Sequence, residues 1–255
     1  MNWGVDAGLS TAGEADRPTA GKHEKLVFTS VRDVLSPSVA LPPGLTMNAR
    51  QQMDGLAMMQ ALPDHCVTAA FFDPQYRGIL DKLAYGNEGV KRGQARCSLE
   101  QMTQDTIRRF IVEIDRLLIP NGHLFLWMDK FHVCTGYAHW LEGTQLETVD
   151  MITWNKQRMG MGYRTRRMCE YLVILQRPPR HVKGVWKAHT IPDVWDEKVK
   201  AQAGVHPKPV GLQGELIEAV SNPGDLVLDP AAGSFSVLKA CEIKGRNFIG
   251  CDLNG

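Results

Sequence analysis

From Cys66 to Tyr76 the chain reads CVTAAFFDPQY, an apolar run that ends in a carboxylate, a proline and an aromatic ring. A short, continuous apolar run rich in β-branched and aromatic residues reads as a strand buried on both faces. Asp73, Pro74, Gln75 and Tyr76 then stand just beyond its carboxyl end, which is where ligands sit in open α/β sheets. By itself the tetrapeptide also reads as a strand-ending turn, because Asp-Pro pairs commonly punctuate strands.

Working outward, Leu56, Met59 and Leu62 recur at helical spacing from Met53 until Pro63 and Asp64 interrupt them. On the other side, Ile107, Phe110, Ile111, Ile114, Leu117 and Leu118 give Thr103 to Leu118 one inward helical face. Pro120, Asn121 and Gly122 are expected to close that helix, with a second buried strand from His123 to Met128. Two β-rich runs follow, Thr148 to Trp154 and Tyr171 to Leu175, joined by a basic, glycine-containing loop. The remainder reads as helix Leu212 to Val220, strand Leu226 to Leu228, helix Val237 to Ile243 and strand Asn247 to Cys251. Strands alternating with helices predict an α/β fold, a mostly parallel twisted sheet with helices on both faces.

With 255 residues the chain can build a core without covalent staples, and its six cysteines contain no CxxC pair. They are read as reduced thiols of a cytoplasmic protein, with neither a zinc ribbon nor another metal site expected. No apolar run approaches the roughly 20 residues that span a bilayer, and the first 25 residues lack the pattern of a secretory signal. Residues 1–25 are too polar to offset the entropy of ordering and are expected to be a flexible tail, with one domain over 26–255.

A second constellation is Leu226-Val227-Leu228-Asp229-Pro230-Ala231-Ala232-Gly233-Ser234, followed by a helix and then Phe248-Ile249-Gly250-Cys251-Asp252. A strand, a small-residue turn and a helix start admit a ligand close to backbone, and an acid about 20 positions on suits a ribose diol. There is no glycine-rich phosphate cradle, which favours a nucleoside cofactor over NAD or ATP. Two strands with ordinary turns would show the same residues. The chain's net charge is only +1, yet Met151 to His189 carries nine Lys and Arg against one acid, Glu170. Interleaved with Trp154, Tyr163 and Trp186, this segment predicts contact with phosphate.

Taken together, these segments resemble the β-class amino-group DNA methyltransferases, which use S-adenosyl-L-methionine. Asp73-Pro74-Gln75-Tyr76 is similar to their DPPY motif, and Asp229 to Phe235 to their cofactor motif, in the permuted order of that class. Met53-Asp54-Gly55-Leu56 with Leu62 to Val67, Trp154-Asn155-Lys156 with Gly160 to Arg164 and Glu170-Tyr171, and His206-Pro207-Lys208-Pro209-Val210 match further family segments in register. The resemblance covers residue 45 to the end. Gln75 stands in place of the usual second proline, and Phe235 where a glycine is common.

The resemblance implies a Rossmann-like methyltransferase fold with a catalytic half over 45–176, a short target-recognition insert over 177–205 and a cofactor half over 206–255. It implies transfer to the N6 amine of adenine in a base rotated out of DNA, with Asp73 and Pro74 accepting the amine hydrogens and Tyr76 stacking on the base. Cofactor contacts fall on Asp54, Phe72, Lys208, Asp229, Ala231, Gly233, Phe235 and Asp252, with Lys208 preferred over His206 for the methionine carboxylate. Phosphate contacts fall on Lys156, Arg158, Arg164, Arg166, Arg167 and Lys183. The expected partner is DNA, with a homodimer allowed for, in a cytoplasmic enzyme of a bacterium or phage. The short insert suggests a short or relaxed recognition site. Cytosine N4 is the nearest rival target, and a catalytically silent DNA-binding module the rival class.

Overall fold

The strand read from Cys66 forms over Val67–Phe72 (β1), and all six of its residues are buried. It belongs to a computed structural model that describes residues 39–75, 102–160, 164–199 and 207–254. The elements before and beside it are helix α1 (Gly55–Ala61), helix α2 (Gln104–Leu117) and strand β2 (Leu118–Met128). Then come a short helix α3 (Lys130–Thr135), a 3-10 turn (Ala138–Trp140), and strands β3 (Glu147–Asn155), β4 (Cys169–Gln176) and β5 (Val194–Asp196). Helix α4 (Val210–Val220), strand β6 (Leu226–Asp229), helix α5 (Ser236–Lys244) and strand β7 (Asn247–Gly250) complete the described chain.

The seven strands form one sheet in the order β5-β3-β4-β2-β1-β6-β7. β1 pairs in parallel with β2, Phe71 opposite Phe125, and with β6, Ala70 opposite Leu228; β6 pairs in parallel with β7 and β3 with β5. Only β4 runs against its neighbours β2 and β3. The strand order turns back between β1 and β6, since β2 lies on one side of β1 and β6 on the other. Such a switch point opens a crevice at the carboxyl ends of the strands.

Alternation along β1 divides the core. Val67, Ala70 and Phe72 pack with α1 and α2 through Met58, Met59, Ile107, Ile111 and Ile114. Ala69 and Phe71 pack on the opposite face with α4 and α5 through Leu212, Leu216, Val237 and Ala240. The α2 stripe is the one its periodicity predicts, and Thr103 caps its start by accepting from the Thr106 N–H at 3.1 Å.

The helix end differs from expectation. β2 begins at Leu118, directly after α2, and Pro120, Asn121 and Gly122 lie inside it. Asn121 takes the left-handed conformation at φ 60°, and the pairing with β1 skips between Val67 and Ala69, so turn-forming residues make a bulge inside a strand. α3 and β5 carry no periodic signal because they are too short to show one. β5 pairs with β3 along the sheet edge, and Glu197 just beyond it accepts from the Gly211 and Leu212 N–H groups at 3.0 Å, capping α4. The stretch read as an insert is thus tied into the sheet.

Candidate functional site

β1, β2, β3, β6 and β7 end at one edge of the sheet, and the antiparallel β4 begins there. The side chains just past those ends therefore converge: Asp73 after β1, Lys156 after β3, Glu170 at the start of β4, Asp229 at the end of β6 and Asp252 after β7. Lys208 joins them from the approach to α4.

Lys208 is the hub of one group. Its Nζ lies 2.8 Å from Asp73 Oδ2 and 2.9 Å from Glu170 Oε2, and 4.9 Å above the Trp127 ring. Glu170 Oε1 is in turn 3.1 Å from Lys156 Nζ. Burial disfavours the Lys208 charge, but the Asp73 and Glu170 carboxylates outweigh it and hold the ammonium above the ordinary lysine value. Burial likewise disfavours the Glu170 carboxylate, and here Lys208 and Lys156 prevail, bringing it down to about 2.

The second group surrounds the turn after β6. Asp252 Oδ2 accepts from Gly233 N–H at 3.1 Å and its Oδ1 from Asn254 N–H at 2.9 Å. Gly233 sits at φ +49° with open space where a side chain would project. Residues 51–53 run beside the end of β7, with Asp252 N–H donating to Gln51 O at 3.0 Å and Met53 N–H to Asp252 O at 3.2 Å. That places Asp54, which caps α1 by accepting from Ala57 N–H at 2.8 Å, against the same turn. Burial first, and then the Asp229, Asp54 and Asp252 carboxylates, push the Cys251 thiol up to about 12.

Asp229 links the groups. It is buried, its Oδ1 accepts from Ala231 N–H at 3.3 Å, and burial together with the Asp73 and Asp252 carboxylates raises it well above the usual carboxylate range. The acids at 73 and 252 thus flank one buried carboxyl at the switch point.

Several predicted residues stand elsewhere. Phe72 stacks on Phe110 with ring centroids 5.2 Å apart, so its ring belongs to the core and not to a cofactor contact. Phe235 adopts φ 57°, the conformation for which glycine is favoured, while its ring is buried against Phe248 with the Arg50 guanidinium 5.0 Å from its centroid. The departure is absorbed by the core instead of reshaping the turn. Lys156, read as a phosphate contact, pairs with Glu170 at 3.1 Å. Trp154, interleaved in the basic segment, is buried against Trp127 and donates to Glu197 O at 2.8 Å. Lys208 is turned to Asp73 and Glu170, a role charge alone did not foretell.

Arg158, Arg164, Arg166 and Lys183 are exposed, and Arg167 lies 5.6 Å from the Phe131 ring centroid. Pro74 is buried and Gln75 exposed. Tyr76, Tyr163, His206 and residues 1–25 lie outside the described residues. Glu170 and Trp127 were not expected in the site; the signal for Glu170 was its isolation as the one acid in a basic segment.

A family model described as DNA methylase, of the N6 and N4 class, matches residues 67–255. The type II methyltransferase M.HhaII of Haemophilus parahaemolyticus is 53% identical over 208 residues, 81% of this chain and 91% of that protein. The type II methyltransferase M1.MboII of Moraxella bovis is 50% identical over 258 residues, covering 82% of this chain and 93% of that protein. Among solved structures, the M1.HpyAVI–SAM complex shares the fold with a TM-score of 0.55 at 20% identity, over 80% of this chain and 91% of that one.

Proposed function

The chain belongs to the N6/N4 DNA methylase family, and from that premise we propose that it transfers the methyl group of S-adenosyl-L-methionine to the exocyclic N6 amine of adenine in DNA. The observation that carries this reading is the gathering of Asp73 with Lys208, and of Asp252 with the Gly233 turn, on either side of Asp229 at one sheet edge.

The turn suits the cofactor. Asp252 accepts from two backbone N–H groups and, at 3.4 Å, from the Asn254 side-chain amide, and a carboxylate has about four acceptor sites, so Oδ2 with its single partner keeps capacity for a ribose hydroxyl. Open space at Gly233 lets a ligand approach backbone. Asp54, Asp229, Ala231 and Gly233 would line the same turn. When bound, the cofactor supplies an electrophilic methyl on a sulfonium, a good leaving group.

An exocyclic amine is a weak nucleophile because its lone pair is delocalised into the ring. Two acceptors correct this. The Asp73 carboxylate and the Pro74 carbonyl draw on the two N–H bonds, localising the lone pair toward the methyl for direct transfer. Lys208 fixes Asp73 Oδ2, so the carboxylate meets the amine already oriented. The target base must leave the duplex, and the exposed Arg158, Arg164, Arg166 and Lys183 offer contacts for the DNA backbone.

Purified chain incubated with radiolabelled cofactor and unmethylated DNA should yield labelled N6-methyladenine on nucleoside analysis. Label in N4-methylcytosine would move the target to cytosine, and no label would overturn the reading. An Asp73→Ala chain should bind cofactor and transfer nothing; parent-like turnover would remove Asp73 from the chemistry. Mapping methylated positions on a plasmid tests the short-site expectation, which one site of five or more base pairs would overturn.

A further inference from the structure

Four charged side chains at the carboxyl edge form a chain rather than separate pairs. Lys156 Nζ lies 3.1 Å from Glu170, Glu170 lies 2.9 Å from Lys208 Nζ, and Lys208 Nζ lies 2.8 Å from Asp73. They come from four places in the sequence: the end of β3, the start of β4, the approach to α4 and the end of β1. Two cations balance two anions, which is the condition under which ammoniums so withdrawn from water persist. Side-chain exposure is 13% for Lys208 and 15% for Lys156, so the two ammoniums are largely withdrawn from water, while Asp73 at 32% and Glu170 at 30% keep an open face.

Resting on the methyl-transfer reading, we infer that Glu170 is a positioning residue for that reaction. It holds Lys208 at 2.9 Å while Lys208 holds Asp73 at 2.8 Å, and through Lys208 it sets the plane of the carboxylate that receives the amine. An ammonium on a four-carbon stem has three rotatable donors and no preferred direction. Held by Asp73 alone, it would follow that carboxylate through its rotamers and restrain nothing. Glu170 and the Trp127 face hold Lys208 at one point, and Lys156 holds Glu170. The antiparallel direction of β4 is what makes this geometry available. A parallel strand in that slot would bring its carboxyl end, near Gln176, to the edge in place of Glu170.

The test is single-turnover methyl transfer at saturating DNA and labelled S-adenosyl-L-methionine, run well below each variant's own Tm. Glu170→Gln should lower the transfer rate on the order of 30- to 100-fold, the cost of a carboxylate misplaced by about 1 Å. The KM for DNA and the Kd for S-adenosyl-L-methionine should stay within about threefold, because the loss belongs to the reacting geometry and not to ground-state binding. In a Lys208→Met background the same change should cost no more than about threefold further, since both substitutions remove one restraint.

Should Glu170→Gln fail to fold, Lys156→Met loosens Glu170 from its outer side and should give a loss of about fivefold with the same split between rate and binding. A Glu170→Gln rate within threefold of the parent, a loss confined to KM, or losses that multiply in the double variant would each overturn the assignment. An unaltered chain that transfers nothing defeats the methyl-transfer reading and this inference with it. An active parent with an indifferent Glu170→Gln variant defeats the inference alone.

Discussion

Gly55→Ala probes the contact that joins the first helix to the cofactor turn. Gly55 opens α1 and is buried; a Cβ built on it would enter the Pro230 carbonyl oxygen, inside the 3.0 Å that real Cβ atoms do not cross, and lie 2.8 Å from Phe110 Cε1. To reach ordinary contact at 3.4 Å the methyl must withdraw over half an ångström from the ring, and further from the carbonyl. The carbonyl has little room to yield. Its neighbours are pinned to Cys251, just past β7, with Cys251 N–H donating to Asp229 O at 3.2 Å and Ala232 N–H to Cys251 O at 2.9 Å. The start of α1 must move instead, and it is tied to Asp252 through the Met53 N–H.

Overpacking costs ~1–3 kcal/mol, and against a backbone carbonyl that cannot yield the upper part of that range applies, ~2–3 kcal/mol, offset by a gain of about 1 kcal/mol from the better helix former. The net loss is about 1–2 kcal/mol, which at 2–4 °C per kcal/mol lowers Tm by about 2–8 °C. Because Asp54 and Asp252 move with the helix start, cofactor affinity should fall as well. Calorimetric unfolding and titration with S-adenosyl-L-methionine read the two effects separately. A Tm within about 1 °C of the parent together with affinity within twofold would refute the account.

Phe235→Gly sets strain against burial: relief of a left-handed residue at φ 57° returns ~1–2 kcal/mol, while loss of a buried phenyl costs ~3–5 kcal/mol. Urea unfolding should show a net loss of about 1–4 kcal/mol, and a gain would mean that strain outweighs packing. Replacing both Arg158 and Arg166 by Ala should flatten the slope of log affinity for DNA against log salt by up to about 2 without changing cofactor affinity; an unchanged slope would argue against phosphate contact at these exposed residues. Glu170 is depressed from 4.5 to about 2, so its contribution to stability is complete above 4.5 and lost as pH falls toward 2. Thermal melts should therefore show the parent's advantage over Glu170→Gln closing across that window, and a gap independent of pH would contradict the ion-pair account.

The strand leading to Asp73, the strand, turn and helix around Asp229 to Phe235, and the amphipathic α2 were legible in the sequence because each is a local pattern. Apolar spacing reports which face of an element is buried, and turn residues report where it stops. The tail of α2 misled for the same reason: Pro120, Asn121 and Gly122 are turn residues locally, and only the pairing of β2 with β1 made them a bulge. The motif spacing likewise placed Asp73, Asp229 and Asp252 at strand ends, and strand ends of a parallel sheet share an edge.

What the tertiary structure alone decided was the partnership of charges and the fate of side chains that local pattern leaves free. Lys156 and Lys208 look like cations available to phosphate or carboxylate, yet both are claimed by Glu170, which is 14 and 38 residues from them along the chain. Phe235 looks like an obstruction in a cofactor turn, yet backbone at φ 57° sends its ring into the core. A Coulomb interaction depends on separation in space. That separation was settled by the rank order of seven strands and by the one that runs backwards.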